Sequence, residues 1–96
     1  MKMLVTVYSD VVDEVVLKVF KGLGVTGYTK WREVLGEGSE TEPKLGTHCW
    51  PGKNNVLAVV IEDDMLAPIS GALTFLKQEH PKGGIRTFVL QVEETI

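Results

Sequence analysis

One cysteine is all this chain carries, and a single thiol cannot close an intramolecular disulfide, so the sequence suits a reducing cytoplasm. Long apolar runs are missing as well. The longest, such as Val56–Ile61, falls far short of the roughly 20 residues that cross a bilayer, so no membrane insertion is expected. The opening Met1–Val7 lacks the length and the small-residue cleavage site of a secretory signal, and Asp10 and Asp13 follow at once. An excess of positive charge is also lacking. The formal net charge is −3 and the basic residues form no stripe, which argues against a general nucleic-acid binder. No internal repeat is found. What is present is ordinary for a folded protein: 44% apolar and 24% charged residues in 96 positions, enough for one domain spanning 1–96 and not for two.

Lys2–Tyr8 reads as a short β-branched strand closed by Ser9-Asp10, either of which can cap the next element. Val12, Val15, Val16, Val19, Phe20 and Leu23 then recur at helical spacing, with Asp13, Glu14, Lys18 and Lys21 on the opposite side, and Gly24 supplies an inexpensive left-handed stop. From Val25 the period drops to two. Tyr28, Lys30, Arg32 and Val34 alternate with Thr29, Trp31, Glu33 and Leu35, which predicts a second strand. The unbroken run Val56–Ile61 predicts a third, covered on both faces. Asp63 or Asp64 opens a second helix burying Leu66, Ile69, Leu73 and Leu76. Pro68 fits only its first turn, so the regular helix should begin near Ala67. His80-Pro81-Lys82-Gly83-Gly84 stops it, and Ile85–Val92 is the fourth strand.

The order βαββαβ predicts a ferredoxin-like α/β (α+β) fold, a four-stranded antiparallel sheet with two helices on one face. Both faces of that sheet would be apolar, and neither the loop nor the tail is apolar enough to cover the second. Association of subunits through their sheets is expected.

Between the second and third strands lies a connection, 36–54, longer than the ~12–15 residues beyond which a structureless loop is usually functional or disordered. Within it, Gly46–Asn55 gathers one of two histidines, the cysteine and one of two tryptophans. His48 and Cys49 offer a soft nitrogen and a soft sulfur suited to copper or zinc, with His80, Glu40 or Glu42 as further ligands. The plainer reading is that Cys49 packs and His48 bonds the turn. Adjacency keeps the two from facing each other, so a Cys-His nucleophile is not expected and the chain is read as a non-enzyme. Lys82-Gly83-Gly84 can present backbone N–H groups and an ammonium to a phosphate, although two glycines after a helix are also an ordinary stop. Arg32, Lys44, Lys53 and Arg86 are further phosphate contacts or simply solvated surface. Gly36 and Gly38 allow a tight strand exit or close approach to a ligand. Trp31 and Trp50 read as packing residues first and as stacking surfaces for an adenine second.

Gly24–Thr29 running into Val34–Gly38, together with Gly84–Glu94, resembles the second and last strands of P-II nitrogen regulatory proteins, in register over most of the chain. The resemblance implies a homotrimer whose sheets line a central core, adenine nucleotide (ATP, ADP or AMP) in clefts between subunits, and a loop that reaches transporters or enzymes. It strengthens Lys82, Gly83 and Gly84 as a phosphate-binding turn, and with Gly36, Gly38 and Arg86 these are the candidate nucleotide-binding residues. The sequence departs from that family in places. No tyrosine lies between Gly36 and Asn54, Ser39–Glu42 stands where the family has its glutamine for magnesium and 2-oxoglutarate, and the Gly-Asp-Gly-Lys stretch is replaced by His80–Gly84. The basic residues that follow the family's last strand have no counterpart before Ile96. Some branches of the superfamily are encoded beside heavy-metal efflux systems, and Thr47–Gly52 is similar to what such a branch would carry, so a membrane transporter or efflux system is the implied partner.

Two other readings share this topology. A metal-binding module of the CutA kind would use His48 and Cys49. An acylphosphatase-like hydrolase would need an anion loop near the first strand, where this chain has the acidic Tyr8–Val12.

Overall fold

A computed structural model describes residues 1–36 and 53–96. The elements follow the expected order: β1 (Lys2–Ser9), α1 (Asp13–Gly22), β2 (Thr29–Val34), β3 (Asn54–Ile61), α2 (Leu66–Glu79) and β4 (Arg86–Gln91). Short 3-10 turns, Asp10–Val12 and Asp63–Met65, lead into the two helices. The strands lie in the order β2-β3-β1-β4, with β1 antiparallel to both β3 and β4 and β2 antiparallel to β3. This is the ferredoxin-like arrangement, with both helices contributing to one core.

Period-two burial builds that core from the sheet side. Leu4, Thr6 and Tyr8 of β1 and Leu57, Val59 and Ile61 of β3 point under the helices and are almost fully buried. Val16 and Phe20 of α1 and Ile69, Leu73 and Leu76 of α2 close over them, each large side chain contributing about 1.5–3 kcal/mol by leaving water. Valines are modest helix formers, so α1 depends on this packing rather than on propensity. Its end is specified chemically. The Gly24 N–H donates to the Lys21 carbonyl at 3.0 Å, the Val25 N–H to the Phe20 carbonyl at 3.0 Å, and Gly24 takes φ 91°. These are the two bonds of a Schellman stop.

Three expectations are corrected. Val25 is tied into that helix stop, so β2 starts at Thr29 and not at Val25. β4 runs Arg86–Gln91, one residue shorter at each end than expected. Neither Ser9 nor Asp10 caps by its side chain. Ser9 leads into the 3-10 turn with no side-chain bond, and α1 starts without a side-chain cap. Pro68 does sit in the first turn of α2, where a missing N–H removes no helical bond.

The opposite face of the sheet is left open. The strand register puts Val60, Met3 and Leu90 in one row across it, Thr29, Ala58, Val5 and Phe88 in the next, and Trp31, Val56, Val7 and Arg86 in a third. Trp31, Val60, Phe88 and Leu90 are each about half exposed in the isolated chain. Trp31 is therefore not a core residue of its own chain.

Candidate functional site

Because β1 and β2 run one way and β3 and β4 the other, one end of the sheet collects Ser9, Val34, Asn54 and Arg86. The segments singled out by sequence meet the fold here. Gly36 lies two residues past the end of β2, Lys53 precedes β3, and Lys82–Ile85 lies in the connection from α2 to β4.

Two consecutive amides hold two of these segments to the end of β1. The Ser9 N–H donates to the Gly83 carbonyl and the Asp10 N–H to the Lys53 carbonyl, both at 2.8 Å. The Gly83 N–H in turn donates to the His80 carbonyl at 2.9 Å, closing the turn that stops α2. Gly83 is buried, and a Cβ there would lie 3.1 Å from the His80 carbonyl oxygen and 3.3 Å from Val12 Cγ1. Gly84 follows at φ 63°, the left-handed region that an L side chain enters at about 1–2 kcal/mol. Lys82 and Arg86 flank the two glycines and are exposed. A cation on each side of a tight, left-handed turn suits the oxygens of a phosphate.

Gly36 belongs to the other edge. A Cβ there would lie 2.7 Å from Asn54 Nδ2, so the two stems of the 37–52 connection approach closely. β2 and β4 are the opposite edges of the sheet. Three interstrand spacings separate them, about 14 Å at ~4.8 Å each. The sequence-assigned residues therefore fall into two groups: Lys82, Gly83, Gly84 and Arg86 on one side, and Gly36 on the other. Gly38, His48 and Cys49 lie outside the described residues. Among the described residues no group of three or more His, Cys, Asp and Glu side chains could hold a metal ion.

Sequence reasoning missed a polar cluster beneath this end of the sheet. Asp13, read as a solvent-facing helix residue, accepts from Tyr8 Oη at 2.6 Å, from Asn55 Nδ2 at 3.1 Å, and from Lys30 Nζ at 2.9 Å on its other oxygen. The Lys30 and Asp13 side chains are only 13% and 20% exposed, so this ion pair is not a surface contact. Burial pushes the Asp13 carboxyl up, but the hydrogen bonds from Tyr8, Lys30 and Asn55 outweigh it and hold the group below its ordinary value. Burial first, and then the bond to Asp13, drive the Tyr8 phenol well above its usual range. A polar residue opening the apolar run of β3, and a tyrosine closing β1, were the only signals of this cluster in the sequence.

The cluster reaches the strand exit through Asn55. Its Oδ1 accepts the Glu33 backbone N–H at 3.1 Å. Glu33 has φ 57°, the one positive value at a non-glycine among the described residues. Trp31 pairs with Val56 and Val34 with Asn54, so three steps along β2 answer two along β3 and the strand bulges at Arg32-Glu33. The expected alternation fails here. Val34 shares the open face with Trp31 instead of the Lys30 face.

A family model described as nitrogen regulatory protein P-II matches residues 1–96. No curated protein matches the sequence significantly. Among solved structures, the chain is similar to CPII, a nitrogen regulatory PII-like protein from Thiomonas intermedia K12 bound to ADP, AMP and bicarbonate (TM-score 0.74, 18% identity, 99% of this chain and 94% of that one). It is also similar to CPII bound to ADP and bicarbonate (0.72, 18%, 97% and 88%). A further similar structure is described as a PII-like signalling protein from Thermus thermophilus (0.68, 22%, 95% and 84%). At these identities the likeness is one of fold.

Proposed function

This chain belongs to the nitrogen regulatory protein P-II family, and on that premise we propose that it is a non-catalytic regulator that binds an adenine nucleotide between subunits. The observation that carries the reading is the placement of the glycine turn and of Gly36 on opposite edges of one sheet. On one chain the two lie about three strand spacings apart, and neighbouring copies would bring them together if the edge bearing Lys82–Arg86 in one faced the edge bearing Gly36 in the next.

The open sheet face supports the same assembly. That face leaves Trp31, Val60, Phe88 and Leu90 about half exposed, and a ring of copies would bury them in a shared centre. We take that ring to be a trimer. Lys82 and Arg86 would meet the phosphates and the Gly83-Gly84 backbone would approach them closely. The CPII structures are bound to bicarbonate as well as to nucleotide, so bicarbonate is the second effector to test here. Occupancy would be read out through the 37–52 connection by a partner, for which a membrane transporter or efflux system is proposed, in the cytoplasm. Such a switch works only if the ligand favours one arrangement of the connection over the other.

Calorimetric titration with ADP, ATP and AMP, each with and without bicarbonate, tests the reading. Saturable binding at one site per subunit, weakened by Lys82→Ala and by Arg86→Ala, is expected. Absence of binding by all three nucleotides would overturn it.

A further inference from the structure

The bulge at Arg32-Glu33 lies shortly before Gly36 and decides which face of the sheet Val34, Leu35 and Gly36 present. Side chains alternate along a strand, so one inserted residue exchanges the faces of every residue after it. Glutamate does not favour φ 57°, and nothing local in the sequence asks for it. Asn55, buried on β3, supplies the reason. Its amide is fixed at both ends, because the Asp13 carboxylate can only accept and the Glu33 N–H can only donate. Asp13 therefore turns the Asn55 oxygen toward Glu33, and Tyr8 and Lys30 hold Asp13 in place.

We propose that Asn55, oriented by Asp13, is a positioning residue for the proposed nucleotide site: it holds Glu33 in the left-handed conformation and thereby sets the face on which Gly36 leaves the sheet. The inference deepens the nucleotide reading and rests on it for its effect on affinity. Its effect on the strand exit does not depend on any ligand.

The test is a set of variants of the full chain. Asn55→Ala removes the acceptor. Glu33→Gly lets the backbone keep positive φ without help, since glycine enters that region freely. Glu33→Pro, on an exposed edge position, forbids positive φ and removes the N–H without touching the core. Amide exchange of Val34, Leu35 and Gly36 is followed by NMR in the ligand-free protein, and ADP affinity by calorimetry. Asn55→Ala and Glu33→Pro should each speed exchange at these amides about tenfold or more, and Glu33→Gly combined with Asn55→Ala should restore the Glu33→Gly values. ADP affinity should fall and recover in the same order. If Asn55 only stabilises the fold through Asp13, glycine at position 33 rescues nothing. That outcome, or unchanged amides in Glu33→Pro, overturns the proposal. If Asn55→Ala does not fold, Glu33→Pro decides alone. Should the unmodified protein bind no ADP, the nucleotide reading fails while the exchange pattern still judges this one.

Discussion

The Tyr8 hydroxyl donates to Asp13 Oδ1 across 2.6 Å, tying the end of the central strand to the first residue of α1. Tyr8 is fully buried, so its hydroxyl has no water to fall back on. The pair links the core to the end of the sheet that carries the candidate site.

Tyr8→Phe should destabilise the protein by about 1.5 kcal/mol, the contribution of a hydrogen bond to a charged acceptor. Lys30 and Asn55 still satisfy the carboxylate, so the fold survives. Urea unfolding measures the loss. The folded phenol is raised above the ordinary 10.0, so the unmodified protein loses stability as pH climbs above that value, and Tyr8→Phe should lose less.

Asp13 gives the opposite dependence on acid. Its folded value lies below the ordinary 3.8, so its contribution is present above that pH and is lost as pH falls through the folded value. Asp13→Asn should be less stable near neutrality by about 2 kcal/mol, because Lys30 loses its partner, and the gap should narrow in strong acid. Thermal unfolding at pH 7, 4 and 2 reads both effects.

Gly84→Ala should destabilise by about 1–2 kcal/mol through its left-handed backbone alone. If the turn also approaches a phosphate, ADP affinity should fall more than Lys82→Ala lowers it, since the whole turn shifts and not one charge. Equal binding by Gly84→Ala and the unmodified protein would remove the glycine turn from the site.

Phe88→Glu places a charge in the middle row of the open sheet face. Phe88 is 52% exposed in the isolated chain, so folding should change little. Light scattering after gel filtration should show a trimer for the unmodified protein and a monomer for the variant. A monomeric unmodified protein would end the shared-site reading, because no neighbour would bring Gly36 to the glycine turn.

Much of this architecture was legible because its causes are local. Val12, Val16 and Phe20 recur at helical spacing, Gly24 stands where α1 needs a left-handed stop, and Pro68 is tolerated where it falls. The bulge was not legible. It depends on Asn55, which belongs to another strand, and glutamate is not a residue that announces positive φ. Asp13 was misread for the same reason: its partners come from β1, β2 and β3, and spacing within α1 reports only its neighbours. Lys82, Gly83, Gly84, Arg86 and Gly36 were recognisable as residues, but their division between two edges follows from strand order. His48, Cys49 and Gly38 fall outside the described residues.

The strand order has a consequence for how the protein is made. β1 leaves the ribosome before both strands it pairs with, yet it lies in the interior of the sheet, paired through Ser9 with Asn54 and through Lys2 with Gln91. Its backbone has no strand partner until β3 is synthesised, and one side stays unpaired until β4 is complete. Assembly is thus governed by distant pairings, which slow folding and expose a sticky nascent strand meanwhile.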